Sequence, residues 1–266
     1  MKKTAEIISS EKDGIKMDYA VFGNGKKTLI ILPGLSLKKV TPNVKSLERL
    51  FSAFTEKYTV YVFDRRSNSE IGYTVKAMAE DTVKIIKCIG IEKADFYGTS
   101  QGGMIAQCIA ISHPETVNKL VLASTLSRGN ETSEKVTSNW VKLAKEGKVQ
   151  ELIEDMTDKI YSENTLNKLR NVIIALNKNI SEEETEKFII NASACFGFDV
   201  YSELDKIKAP LLVLGSKGDQ VLTGEASLEI AEKLNCRLYM YDESFGHAVY
   251  DEAADFRDRI YSFLQP

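Results

Sequence analysis

Three side chains in this sequence have the types and the order needed for nucleophilic attack on an acyl group. Gly98-Thr99-Ser100-Gln101-Gly102 fits the pattern G-x-S-x-G and lies between a predicted strand and a predicted helix. A nucleophile on such a turn has a strained backbone, and small neighbours keep its approach clear. Gly98, Gly102 and Gly103 give that room. The helix beginning at Gln101 also points unpaired N–H groups at the place where an oxyanion would form. A serine hydroxyl is a poor nucleophile without a base, and a histidine base needs an acid to orient it. Asp219, in Gly215-Ser216-Lys217-Gly218-Asp219, and His247, in Ser244-Phe245-Gly246-His247, each follow a later strand, giving the order serine, acid, histidine.

The choice of base is narrow, because His113 and His247 are the only histidines. His113 ends the helix that starts after Ser100, about a dozen residues or roughly 18 Å from the turn at 1.5 Å per residue. It is read as a structural residue at a helix C-terminus. Asp242, Asp199 and Asp205 compete with Asp219 as the acid. Only Asp219 has glycines beside it in a loop after a strand between Ser100 and His247. Asp81 and Asp95 are read as solvated or helix-associated carboxylates.

The elements that must position these residues follow from hydrophobic spacing. Ile15 to Phe22, Thr28 to Leu32, Tyr58 to Phe63, Ala94 to Tyr97, Lys119 to Ala123, Leu211 to Leu214 and Arg237 to Tyr241 read as strands. Short apolar runs such as Thr28 to Leu32 suit strands buried on both faces. Helical period runs through Val44 to Phe54, Val75 to Ile89, the segment from the elbow to His113, Ala226 to Leu234 and Tyr250 to Leu264. Strand and helix alternate, so the expected class is α/β, a mostly parallel central sheet flanked by helices. The alternation lapses from 127 to 204, where Trp140, Leu152, Leu166 to Leu176 and Phe188 mark helices alone. This segment is read as a helical cap inserted into a core formed by residues 1–126 and 205–266.

Composition narrows the function further. A net charge of -3 over 266 residues gives no basic footprint for nucleic acid, so the expected partner is a small molecule. Cys88, Cys108, Cys195 and Cys236 show no CxxC and no metal-ligand spacing, and read as reduced thiols. No metal and no organic cofactor are expected. The chain starts Met1-Lys2-Lys3, with no apolar core of a signal peptide before Lys16 and no run approaching a membrane span. A cytoplasmic location is expected. Nothing in the sequence sets the oligomeric state.

With these residues in view, the chain resembles the α/β-hydrolase superfamily over nearly its whole length. Gly98 to Gly103 is similar to the nucleophile elbow, Gly215 to Asp219 to the acid loop, and Phe245-Gly246-His247 to the histidine loop. Ile30-Ile31-Leu32-Pro33-Gly34-Leu35 resembles the oxyanion segment, which implies backbone N–H donors from Leu35 and Gln101. The insertion from Ser127 falls where such proteins carry a cap, and Trp140, Phe196 and Phe198 are candidates to line an apolar pocket beneath it. There are two departures. Pro33 replaces a customary histidine, and Arg65-Arg66-Ser67-Asn68-Ser69 replaces a glycine-rich run. Arg65 and Arg66 are read as solvated or ion-paired, with an acidic substrate as the other possibility. The resemblance implies a serine hydrolase that cleaves a carboxylic ester through an acyl-enzyme. Thioester, amide (aminopeptidase-like) or carbon–carbon cleavage on the same triad stays open, as does a ligand-binding, non-catalytic member of the fold. A serine at the elbow, where some relatives carry aspartate, argues against epoxide or haloalkane hydrolysis.

Overall fold

The computed structural model describes residues 5–265; the Met1-Lys2-Lys3 start lies outside the described residues. Among these residues eight strands form one sheet: β1 (Glu6–Lys12), β2 (Ile15–Phe22), β3 (Lys27–Leu32), β4 (Tyr58–Phe63), β5 (Ala94–Thr99), β6 (Val117–Ala123), β7 (Leu211–Ser216) and β8 (Arg237–Tyr241). Their order is β1-β2-β4-β3-β5-β6-β7-β8, antiparallel for the first two pairings and parallel from β4 onward. The helices are α1 (Val44–Leu50), α2 (Val75–Cys88), α3 (Gln101–Ser112), α4 (Glu131–Lys145), α5 (Val149–Ile160), α6 (Glu163–Leu176), α7 (Glu182–Ser193), α8 (Gly224–Leu234), α9 (Val249–Glu252) and α10 (Phe256–Leu264).

The period-two alternation of the strands splits the core into two clusters, one on each face of the sheet. Ile30, Leu32, Phe96, Leu120 and Val213 face α2, α3 and α8. Leu29, Ile31, Tyr97, Val121 and Leu212 face α1, α9 and α10. Strands β5 and β7 are buried along their whole length, as central strands covered on both faces must be. Asp95 in β5 is buried rather than solvated. Its carboxylate accepts hydrogen bonds from Tyr58 Oη (2.9 Å) and Asn118 Nδ2 (2.6 Å), which offset the loss of water.

Three elements differ from the sequence reading. β1 is an additional strand, mostly exposed and polar, and it pairs with β2 through a turn at Asp13 and Gly14, both at positive φ. The span read as one helix from Val44 to Phe54 is α1 followed by a 3-10 turn, Ser52–Phe54. The span from Tyr250 to Leu264 is two helices, because the backbone leaves helical geometry at Ala253.

Helices α4 to α7 form one excursion between β6 and β7. Asn130 and Ser133 make a reciprocal capping box at the start of α4, and Ser181 and Glu184 do the same for α7. The two ends of the excursion are joined: Val200 N–H donates to Ser127 O (2.8 Å), Gly129 N–H donates to Phe198 O (2.9 Å), and Arg128 and Asp199 form a β-bridge.

Candidate active site

Ser100 sits between β5 and α3 with φ 52° and ψ −122°, a conformation that costs a non-glycine residue roughly 1–3 kcal/mol. The surroundings over-determine it. Ser100 N–H donates to Ala123 O (2.9 Å), while its carbonyl accepts from Gly103 N–H (2.8 Å), Met104 N–H (3.1 Å) and Thr125 Oγ1 (2.7 Å). The turn is possible only because backbones touch at the flanking glycines. A Cβ on Gly98 would lie 2.5 Å from Gly102 O, and one on Gly102 only 1.9 Å from Leu32 O.

Asp219 and His247 meet on the loops after β7 and β8. His247 Nδ1 lies 2.7 Å from Asp219 Oδ2, with both side chains buried. Asp219 Oδ1 accepts from Val221 N–H (2.8 Å) and Leu222 N–H (2.9 Å). Burial alone would push this carboxyl up. The neighbouring imidazole's charge, its hydrogen bond and the two N–H donors outweigh burial and hold it below the usual carboxylate range.

The histidine loop is clamped to its neighbours. Ser124 Oγ donates to His247 O (2.8 Å), so residues just past β6 contact both the elbow and the histidine loop. Ala248 N–H donates to Ile160 O at the end of α5 (2.8 Å). Glu252 accepts from Gly246 N–H and Ser162 N–H, both at 2.7 Å. Among the described residues Ser100 Oγ carries no hydrogen bond, and none joins it to His247.

The N–H groups of Leu35 and Gln101 donate to no acceptor among the described residues. The oxyanion segment passes close by, since a Cβ built on Gly34 would lie 3.2 Å from Ser100 Cβ. A cavity of about 30 Å³ adjoins Ser100, lined by Leu35, Gln101, Met104, Trp140, Phe196 and Leu222 among others. Trp140 and Phe196 thus stand at the cavity. Phe198 is not among the cavity's lining residues: the chain turns at Gly197 (φ 64°), and Phe198 is buried in the apolar core. Trp140 Nε1 donates to Asp155 (2.8 Å), which fixes the indole.

Several residues of the site have no signal in the local sequence. Cys195 lines the same cavity, and burial pushes its thiol up to about 11, far from a thiolate nucleophile. Glu134 lines it too. Arg65 turns inward, donating to Pro33 O and to the side chain of Gln101, whereas Arg66 pairs with Asp81 at 3.3 Å. His113 lies at the far end of α3, 2.9 Å from Glu80. Among the described residues no group of three His, Cys, Asp or Glu side chains is arranged to hold a metal ion, and no helix is long and apolar enough to cross a membrane.

Residues 27–254 match the family described as alpha/beta hydrolase fold. The chain belongs to the α/β-hydrolase family. This α/β hydrolase is 22% identical to 3-oxoadipate enol-lactonase 2 of Acinetobacter baylyi, across 88% of this chain and 92% of that protein. It is 24% identical to a protein of Rhizobium rhizogenes named as a candidate carbamate hydrolase, RutD, across 90% of this chain and 93% of that one. Among solved structures it superimposes on MGS-M2, an alpha/beta hydrolase enzyme from a Medee basin deep-sea metagenome library, with a TM-score of 0.87. That match has 20% identity and covers 97% of this chain and 98% of that one. At such identity the structural likeness speaks for the fold, and the fold and relatives together make the chain a hydrolase.

Proposed function

We propose that this protein is a serine hydrolase that cleaves a carboxylic ester with a small acyl group. The observation that carries the reading is the buried Asp219–His247 pair at 2.7 Å, on loops neighbouring the strained turn that presents Ser100. Ser100 Oγ attacks the acyl carbonyl while His247 Nε2 takes its proton and Asp219 steadies the imidazolium. The N–H groups of Leu35 and Gln101 receive the oxyanion. Collapse of the tetrahedral species breaks the C–O bond, and the leaving alcohol takes the proton from His247. Water then attacks the acyl-enzyme, returning its proton through His247 and releasing the acid.

The size of the acyl group follows from the cavity. About 30 Å³ accommodates roughly two waters, which favours a short acyl chain over a long one. The enol-lactonase relative supports the same chemistry, since a lactone is an internal ester. A carbamate would use the same nucleophile with a poorer electrophile.

The test is hydrolysis of p-nitrophenyl acetate, butyrate and octanoate by wild type beside Ser100→Ala. Loss of the nucleophile should cost at least about 10⁴-fold in turnover, with acetate preferred in the wild type. Equal turnover in both proteins would remove Ser100 from the mechanism. A preference for octanoate would overturn the small acyl pocket.

A further inference from the structure

The turn Pro33-Gly34-Leu35 has to present one N–H to the oxyanion, yet it has little means of holding itself still. Pro33 has no N–H, Gly34 has no side chain, and Leu35 must keep its own N–H free. The end of β4 supplies what is missing. Asp64 accepts from Val40 N–H (2.7 Å), Thr41 N–H (3.2 Å) and Thr41 Oγ1 (2.5 Å), pinning the far end of the loop. Arg65 pins the near end through Nη2, which donates to Pro33 O at 2.6 Å.

The same guanidinium reaches the other donor. Arg65 Nε donates to Gln101 Oε1 at 3.1 Å, and Gln101 Nε2 donates in turn to Asn191 O (2.5 Å) and Cys195 Sγ (3.3 Å). The Gln101 side chain is buried and uses both ends of its amide. We infer that Arg65 is a positioning residue that holds the Leu35 and Gln101 N–H groups in register with each other around Ser100. Its planar fork suits the task, because two donors at a fixed angle set the separation of two acceptors. A lysine ammonium has three donors but no rigid fork, so it could bond the acceptors without fixing their spacing.

This inference rests on the serine-hydrolase reading and deepens it. The rival role for Arg65 is a substrate contact, since it also lines a cleft of about 610 Å³ between residues 36–43 and α7. A neutral ester separates the two. With p-nitrophenyl acetate, Arg65→Met should lower kcat by about 10- to 100-fold and leave KM within about twofold, because a loosened oxyanion site acts on the transition state. Phosphonylation of Ser100 by a fluorophosphonate probe should slow by a similar factor. Arg65→Lys, which keeps the charge and protects folding, should lie between, at least about fivefold below wild type in kcat. Unchanged kcat in both variants, or a raised KM with kcat kept, overturns the positioning role. A wild type that the probe fails to label removes the nucleophile and this inference with it. A labelled wild type with equally fast variants removes this inference alone.

Discussion

Replacing Asp219 by asparagine exchanges one oxygen for an NH2 group and leaves the side chain's shape intact. The structure dictates which way the amide turns. Asp219 Oδ1 accepts two backbone N–H groups, from Val221 and Leu222, so the asparagine oxygen takes that place. The NH2 then faces His247 Nδ1, where the carboxylate oxygen stood at 2.7 Å. Nδ1 becomes an acceptor and the ring proton moves to Nε2, the nitrogen that removes the proton of Ser100 in the proposed mechanism. The wrong tautomer, together with loss of the charge that steadies the imidazolium, should cost about 10⁴-fold in kcat, or roughly 5.4 kcal/mol at 1.36 per decade. The assay is p-nitrophenolate release from the acetate ester, with KM and thermal midpoint measured on the same preparations. An Asp219→Asn enzyme turning over within tenfold of wild type, properly folded, would refute Asp219 as the residue that orients the base.

The same variant should lose stability in a pH-dependent way. The folded state holds the Asp219 carboxyl below its usual range, so its contribution is present above about pH 4 and lost as pH falls through the folded value. The gap in thermal midpoint between wild type and Asp219→Asn should therefore narrow below about pH 4, and a constant gap would contradict this. Gly102→Ala places a Cβ 1.9 Å from Leu32 O and 2.5 Å from Pro33 O, both backbone. It should destabilise by at least about 3 kcal/mol, a fall of roughly 10 °C; a shift under 2 °C would show that the elbow has slack. Phe196 lines the cavity and is 39% exposed, so Phe196→Ala should favour longer acyl chains with a thermal midpoint near wild type. Trp140→Ala opens the same cavity from a side chain only 4% exposed, and should cost about 3–5 kcal/mol in unfolding by denaturant.

What the sequence reveals and what it conceals divide along physical lines. The parallel strands are legible because burial on both faces forces continuous apolar runs, as in Leu211 to Leu214. Strand β1 is hidden because an edge strand needs no such run, and Glu6–Lys12 is largely polar; the Asp13-Gly14 turn is its only local mark. Ser100, Asp219 and His247 stand out in the sequence because each has a glycine within two residues and follows a strand, and the structure brings Asp219 and His247 together. Arg65 is another matter. Its partners Pro33 and Gln101 are distant in the chain on both sides, and an arginine pair after a strand gives no sign of which member turns inward. Phe198 looks the same as Phe196 in sequence; the positive φ of Gly197 between them sends one to the cavity and the other to the core.

The paired ends of the α4–α7 excursion have a consequence for how such a protein can change. Ser127 to Gly129 and Phe198 to Val200 are bonded to each other, so the chain leaves the core and returns through a single doorway. Its closure does not depend on what lies between, and lengthening a closed loop adds entropy cost only logarithmically. The span from about 130 to 197 is therefore a place where the chain can be exchanged at a low cost in loop closure. A different set of helices spliced at that doorway would meet the same Ser100, Asp219 and His247 while enclosing a different chamber. Such a graft would have to reproduce the polar contacts of Ala248 N–H to Ile160 O, Glu252 to Ser162, Asn130 to Leu222 O and the Gln101 amide to Asn191 and Cys195, and the apolar packing of Val136, Trp140 and Phe188 on the core.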